Sequence, residues 1–373
     1  MTRAAKGEGR PFKRAQDGRS VVVVLDAEGK RRYLYGWSSD EVLAKRDDFL
    51  SATRMGLTPP TGKLSVGKVL DDWLADRRGK VRPATWISYE GQVRIHLDSI
   101  RRIQLVKLRP GDVRRLLRDR EAAGCAPRSV AYTLTILRMA LGQAVRDGLV
   151  PRNIGSVVDG PRVVRAELEV WTAAEARQVL EVQSDLHALW ALLLGRGLRL
   201  GEALGLRWSD IDLAGGKLRV TGSIRPVDRR VRAEGAERLQ RVEPKTEAGW
   251  RTMALPDFVA AALRDHRADT ADRPVSRLGL VFTTTRGTPI DPRNVTRAWT
   301  GLIKVADVKR IRIHDARHSC VAILLGEGAT LEDVKRLLGH ETIATTSDLY
   351  GHLVESRSRE MANVMQRALG GAG

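Results

Sequence analysis

Two stretches rich in chain breakers divide this chain into three segments whose residue patterns call for different folds. The first is Thr58-Pro59-Pro60-Thr61-Gly62, where proline and glycine cannot continue a helix or a central strand. The second is residues 155–169. The expected domains are therefore 1–60, 64–155 and 168–373. In the first, residues 19–25 are β-branched, a turn follows at Asp26-Ala27-Glu28-Gly29, and residues 31–37 alternate basic with aromatic side chains. That is a hairpin signal, and a helix is expected after it over residues 39–52.

The middle segment has a helical period throughout. Ser65 is placed to cap a helix running to Arg77, with Val69, Leu70, Trp73 and Leu74 on one face. Thr85 is the expected cap of a second helix, whose apolar residues are Ile87, Val93, Ile95 and Leu97. Pro110 opens a third that Gly124 can end, and residues 129–148 repeat apolar side chains at three- and four-residue spacing. In the last segment, Thr172-Ala173-Ala174-Glu175 is a capping box, followed by an apolar helix at 184–194. Strands are expected at 217–223, 239–242 and 250–255, with a basic hairpin loop at 226–238. Helices are expected at 257–267, 294–305, 316–325, 331–338 and 355–368. The fold class is multidomain and mainly α, with small β-sheets.

Charge narrows the partner. The chain of 373 residues carries 64 Lys+Arg against 45 Asp+Glu, a net +19. Such an excess favours a polyanion, most simply nucleic acid. The middle segment is the densest in basic charge, which marks it as a DNA clamp. An anionic membrane surface is the rival partner. Against it stand the lack of any apolar run of about 18 residues, of a signal peptide and of a basic amphipathic anchor. Cys125 and Cys320 make neither a disulfide framework nor a metal site, and the seven histidines lack metal-ligand spacing. A reducing cytoplasm fits, with no cofactor and no metal.

The chemistry concentrates late in the chain. Gly197-Leu198-Arg199-Leu200-Gly201-Glu202 holds an arginine at a turn beside a carboxylate, and His314-Asp315-Ala316-Arg317 puts two donors on one helical face. Leu338-Gly339-His340 follows, and Tyr350 lies ten residues after that histidine. Each motif alone is common and usually structural. Together they suit a reaction that builds negative charge on phosphorus, because fixed arginines grip non-bridging oxygens and a tyrosine can attack.

The combined set resembles the tyrosine recombinase (phage integrase) family, in Arg199, His314-x-x-Arg317, Leu338-Gly339-His340 and Tyr350-Gly351-His352. The resemblance implies a helical, SAM-like core-binding domain at 64–155 and an α+β catalytic domain at 168–373. It implies that Tyr350 attacks the scissile phosphate and that Arg199, His314, Arg317 and His340 stabilise the transition state. Glu202 would orient its neighbours, and Lys245, in Pro244-Lys245-Thr246, would protonate the leaving 5′-oxygen. The first sixty residues look like the arm-type DNA-binding module of lambda-type integrases.

Two features depart from the family pattern: Arg196, where many relatives carry threonine, and the basic loop at 226–238. The implied partners are double-stranded DNA at core and arm-type sites, three further copies of the chain in a homotetramer, a host DNA-bending protein and an excision factor. The tail helix at 355–368 is expected to dock on a neighbouring protomer. A type IB topoisomerase uses similar chemistry, and a DNA-binding regulator with a vestigial site is the non-enzymatic alternative. The N-terminal appendage argues against the first, and retention of Tyr350, Lys245 and the four other catalytic positions argues against the second.

Overall fold

The computed structural model describes residues 9–25, 29–54, 64–164, 168–244 and 246–339, together with Gln366 and Leu369. The chain forms two compact units, Met1–Arg165 and Ala166–Gly373. The expected turn at 26–28, the linker at 58–62, and Lys245, His340 and Tyr350 lie outside the described residues. So does the expected tail helix apart from Gln366.

In the first unit, β1 (Phe12–Lys13), β2 (Ser20–Leu25) and β3 (Arg31–Gly36) form an antiparallel sheet in that order, with Val22 opposite Leu34 and Val24 opposite Arg32. The valine run of β2 is buried at Val21, Val22 and Val24 because α1 (Ser39–Arg54) packs over the sheet. β3 instead leaves Tyr33 and Tyr35 exposed, and Trp37 follows it in the open.

After α1, the α-helices described in this unit are α2 (Val66–Arg77), α3 (Pro83–Gly91), α4 (Pro110–Ala122) and α5 (Pro127–Arg146). Ser65 caps α2 by accepting from the Lys68 amide at 3.2 Å. Thr85 is not a cap. Pro83 takes the first helical position, because its fixed φ suits that place and forces Arg82 before it into an extended conformation. α3 then runs into a π-helical turn at Gln92–His96, where Gln92 Oε1 accepts from Thr133 Oγ1 at 2.7 Å. The wider turn shifts the helical phase. Val93 and Leu97 therefore enter the core, while Ile95, expected among the apolar residues of this helix, is exposed.

Leu70, Trp73, Leu97, Leu116, Leu134, Leu137 and Leu141 fill one core. The packed structure continues into the expected linker: Arg138 donates to the carbonyls of Gly155 (3.0 Å) and Val158 (2.7 Å), and Val158 is buried.

The second unit is organised around one apolar helix. It begins with α6 (Ala173–Glu181), capped reciprocally by Thr172 and Glu175, and α7 (His187–Arg196) follows. Residues 188–194 of α7 are all buried, so this helix has no polar face and must sit at the centre. It packs against α9 (Asp257–Asp269), α11 (Asp315–Gly326) and the short α8 (Leu200–Leu204). Trp190, Trp171 and Trp299 of α10 (Pro292–Ala306) stack in a tilted cluster with centroids 5.0 and 5.4 Å apart. α12 (Leu331–Leu338) is the last helix before the site.

Two small antiparallel sheets complete the unit. β4 (Ile211–Asp212), β5 (Lys217–Val220) and β8 (Arg251–Ala254) form one, and β6 (Ser223–Pro226) pairs with β7 (Leu239–Val242) in the other. The single strand expected at 217–223 is thus two strands in two sheets. The bend between them is filled by Arg241, which donates to the carbonyl of Gly205 at 2.9 Å and to Thr221 Oγ1, and lies 3.5 Å from Asp210. The basic loop springs from β6 and β7. Its base is tied by the Val227 amide to the Arg238 carbonyl and by an ion pair between Arg238 and Asp291.

Candidate active site

Three chain segments meet around two arginines in the second unit. α7 stops at Gly197, whose φ of +59° is the left-handed conformation that favours glycine. A Cβ there would only touch Cys320 and Leu338 at ordinary contact distance, so the backbone conformation is what calls for glycine. The chain then turns through Arg199, the N-cap of α8. Glu202 closes this turn: Oε2 accepts from the Arg199 backbone amide at 3.0 Å and Oε1 from its guanidinium at 2.8 Å. The Arg199 side chain stays 43% exposed, so its remaining donors can reach a ligand.

Arg317 behaves differently. It is 3% exposed and donates to the carbonyls of Gly197 (2.7 Å) and Leu338 (2.8 Å). One guanidinium therefore ties the end of α7 to the end of α12. Gly339 follows with φ +64°, and a Cβ on it would collide with the Ala248 carbonyl and crowd Arg251. This fixes the backbone just before His340.

His314 is the N-cap of α11 and is exposed, while the next residue, Asp315, is buried and gripped by Arg312 through Nε and a terminal nitrogen, both at 2.9 Å. Partial desolvation first, and the Arg317 charge second, lower the His314 pKa; Asp315 opposes them and Arg199 adds to the lowering. The imidazole is thus neutral near neutral pH, where it can accept a proton as well as donate one. One helical turn on, His318 meets the His314 ring edge-on at a centroid distance of 5.2 Å. Burial, then the neighbouring His314, lower the His318 pKa to about 4.

Of the residues singled out in the sequence, the structure brings Arg199, Glu202, His314 and Arg317 into one neighbourhood of the second unit. Lys245, His340 and Tyr350 lie outside the described residues. Lys245 falls between β7 and β8, and His340 directly follows the Gly339 turn. Arg251 is a residue that motif reading passes over. It is 9% exposed and pairs with Glu202 at 2.8 Å. A signal for it exists: Arg251 alternates in register with buried Met253, so period two puts an arginine on the core face of β8.

This arrangement can hold a phosphodiester between fixed cations and offer a neutral imidazole beside it. The second unit also matches the model of the phage integrase family over residues 170–357. The chain belongs to that family, whose members are tyrosine recombinases, enzymes that cleave and rejoin DNA strands.

Among particular relatives, a protein of Caldanaerobacter subterraneus subsp. tengcongensis described as tyrosine recombinase XerC-like is 27% identical over 359 residues. The match covers 90% of this chain and 92% of the relative. Two solved structures share the fold. The Tn1549 transposon integrase in complex with transposon right-end DNA has a TM-score of 0.68 at 18% identity, covering 83% of this chain and 100% of the other. The lambda integrase tetramer bound to a Holliday junction has a TM-score of 0.59 at 16% identity, covering 89% and 96%. The multidomain, mainly helical fold with small antiparallel sheets is therefore the recombinase fold. Among the described residues, no helix is long and apolar enough to cross a membrane.

Proposed function

We propose that this protein is a site-specific integrase that inserts or excises a mobile element by exchanging DNA strands one at a time. The observation that carries this reading is the double tie made by Arg317 to Gly197 and Leu338, which draws the Arg199 turn and the segment before His340 together. Tyr350 attacks the scissile phosphorus through Oη as the phenolate, its proton lost to water and the resulting charge favoured by the surrounding cations; a 3′-phosphotyrosyl bond forms and the bond to the 5′-oxygen breaks. Lys245 delivers a proton to that 5′-oxygen. Arg199 and Arg317, with His314 and His340, offset the charge that builds on the non-bridging oxygens.

The free 5′-hydroxyl of a partner duplex then attacks the phosphotyrosine, giving a Holliday junction. Covalent catalysis conserves the energy of the broken bond, so neither ATP nor a metal is required. The tetramer described for lambda integrase on a Holliday junction supports a homotetramer here. In this reading the helical residues 64–155 clamp core-site DNA, the sheet of residues 1–60 takes an arm-type site, and the catalytic domain spans 168–373. A host DNA-bending protein and an excision factor complete the assembly, and the reaction takes place in the bacterial cytoplasm.

The test is covalent trapping on a nicked suicide duplex bearing the element's own junction sequence, followed by strand exchange between two duplexes. Wild-type protein should form an adduct and exchange strands, whereas Tyr350→Phe should bind DNA and form none. An adduct in Tyr350→Phe would place the nucleophile elsewhere. Relaxation of supercoils without partner exchange would make the protein a topoisomerase instead.

A further inference from the structure

We infer that Arg251 is a positioning residue for the strand-cleaving reaction, setting the place of Arg199 through Glu202; this rests on the reading of the site given above. Three contacts carry the inference. A terminal nitrogen of Arg251 donates to Glu202 Oε2 at 2.8 Å, with the other 3.4 Å from Oε1. Its Nε donates to the Leu337 carbonyl at 2.9 Å. The second terminal nitrogen also reaches the Gly249 carbonyl at 3.3 Å. One guanidinium thus spans the carboxylate that grips Arg199, the end of α12 ahead of His340, and the short turn at Glu247–Gly249, which follows Lys245 in the sequence.

The carboxylate is shared symmetrically. Each Glu202 oxygen accepts one hydrogen bond from the Arg199 residue and faces one terminal nitrogen of Arg251. Burial by itself would raise the Glu202 pKa; the Arg251 hydrogen bond and charge, and then Arg199, outweigh it and hold the pKa at about 2. Glu202 is therefore a carboxylate at any working pH, and two cations fix its plane.

Without Arg251, only the two hydrogen bonds from Arg199 itself would hold the Glu202 carboxylate, so nothing outside the Arg199 turn would fix its plane or the exposed guanidinium paired with it. A buried ion pair adds little net stability over apolar packing of the same volume, so geometry is what this one supplies. Arginine is needed because only a planar fork with five donors reaches a carboxylate and two carbonyls together.

The role predicts a chemical signature. Arg199 neutralises charge on a non-bridging oxygen, and a methylphosphonate at the scissile position has no such charge to neutralise. Single-turnover cleavage should therefore be measured on phosphodiester and methylphosphonate suicide duplexes, with wild type, Arg199→Ala, Arg251→Gln and the double variant. Arg251→Gln should slow phosphodiester cleavage by about a hundredfold, the size expected for a misplaced transition-state donor, and methylphosphonate cleavage by less than about tenfold. The double variant should match Arg199→Ala within about threefold, because both changes remove one interaction.

Equal losses on the two substrates, or losses that multiply in the double variant, would reduce Arg251 to a structural residue and overturn the inference. If Arg251→Gln does not fold, Glu202→Gln tests the same link from its other end. It should show the same substrate selectivity, and wild-type cleavage of both duplexes would overturn the inference. Normal phosphodiester cleavage by Arg199→Ala would instead bring down the reading of the site, and this inference with it.

Discussion

Arg317 donates to the carbonyl of Gly197 at 2.7 Å across 120 residues of chain, and the same guanidinium reaches Leu338. An arginine so engaged is a structural tie before it is a catalytic group, whereas Arg199 keeps 43% of its side chain exposed. The two arginines should therefore separate in a stability measurement although the proposed mechanism uses both for cleavage.

Arg317→Ala should destabilise the catalytic unit by about 3 kcal/mol or more, because buried carbonyls lose a charged donor and the packing of α11 opens. Arg199→Ala should cost less than about 1 kcal/mol, since the Arg199 side chain is exposed and Arg251 keeps the buried Glu202 carboxylate partnered. Urea unfolding of the two variants beside wild type would check this. Equal destabilisation would mean that the Gly197 and Leu338 ties carry no special weight.

Lys245→Ala should slow cleavage of an ordinary duplex strongly. A substrate with sulfur replacing the leaving 5′-oxygen should restore most of the rate, because a thiolate departs without a proton. Cleavage of both substrates on a time course would decide it. An unrescued variant would assign the proton to another donor.

Acid should weaken the second unit through His318. Its pKa falls from the ordinary 6.5 to about 4 in the folded protein, with burial as the first cause and His314 as the second. Between those values the unfolded chain binds a proton that the folded chain refuses, so stability is full above pH 6.5 and declines as pH drops toward 4. His314 shifts in the same direction, while Asp315 opposes both histidines and Arg317 and Arg312 reinforce the lowering. The loss from His318 alone is on the order of 3 kcal/mol. In His318→Asn the slope of stability over this pH range should flatten markedly in denaturant titrations; an unchanged slope would show that His318 does not set it.

The N-terminal sheet should bind DNA separately from the core site. β3 exposes Tyr33 and Tyr35 beside Arg31 and Arg32, and the Arg19 guanidinium lies 4.7 Å over the Trp37 ring. Deleting residues 1–60 should leave cleavage of a core-site suicide duplex intact while lowering complete integration. Arg31→Ala with Tyr33→Ala should do the same in the full chain. Integration at the wild-type level by either variant would remove this sheet from DNA recognition.

Much of the local structure was legible in the sequence because it depends on neighbours along the chain. The Ser65 cap, the Thr172–Glu175 box and the glycine stop at Gly339 are all where short-range chemistry puts them. Thr85 misleads for the same kind of reason: it has a capping side chain, but Pro83 two residues earlier already fixes the helix start. The π turn at Gln92–His96 could not be read, since it follows from Thr133 reaching Gln92 from another helix. Nor could the split of residues 217–223 into two sheets, which depends on Arg241 filling the bend from a later strand.

By itself the sequence determined which residue types the chain offers for phosphoryl transfer, the caps at Ser65 and Thr172, and that a strongly apolar helix follows the second of them. Each of these follows from side-chain chemistry and periodicity over a few residues. Only the tertiary structure decided that Arg317 is a buried tie, that Arg199 is the more exposed of the two arginines, and that Arg251 shares Glu202 with it. The physical reason is that the exposure and partners of a charged side chain depend on what packs against it from distant segments. Here those segments are the Gly197 turn, the start of β8 and the end of α12, which meet only in the folded chain.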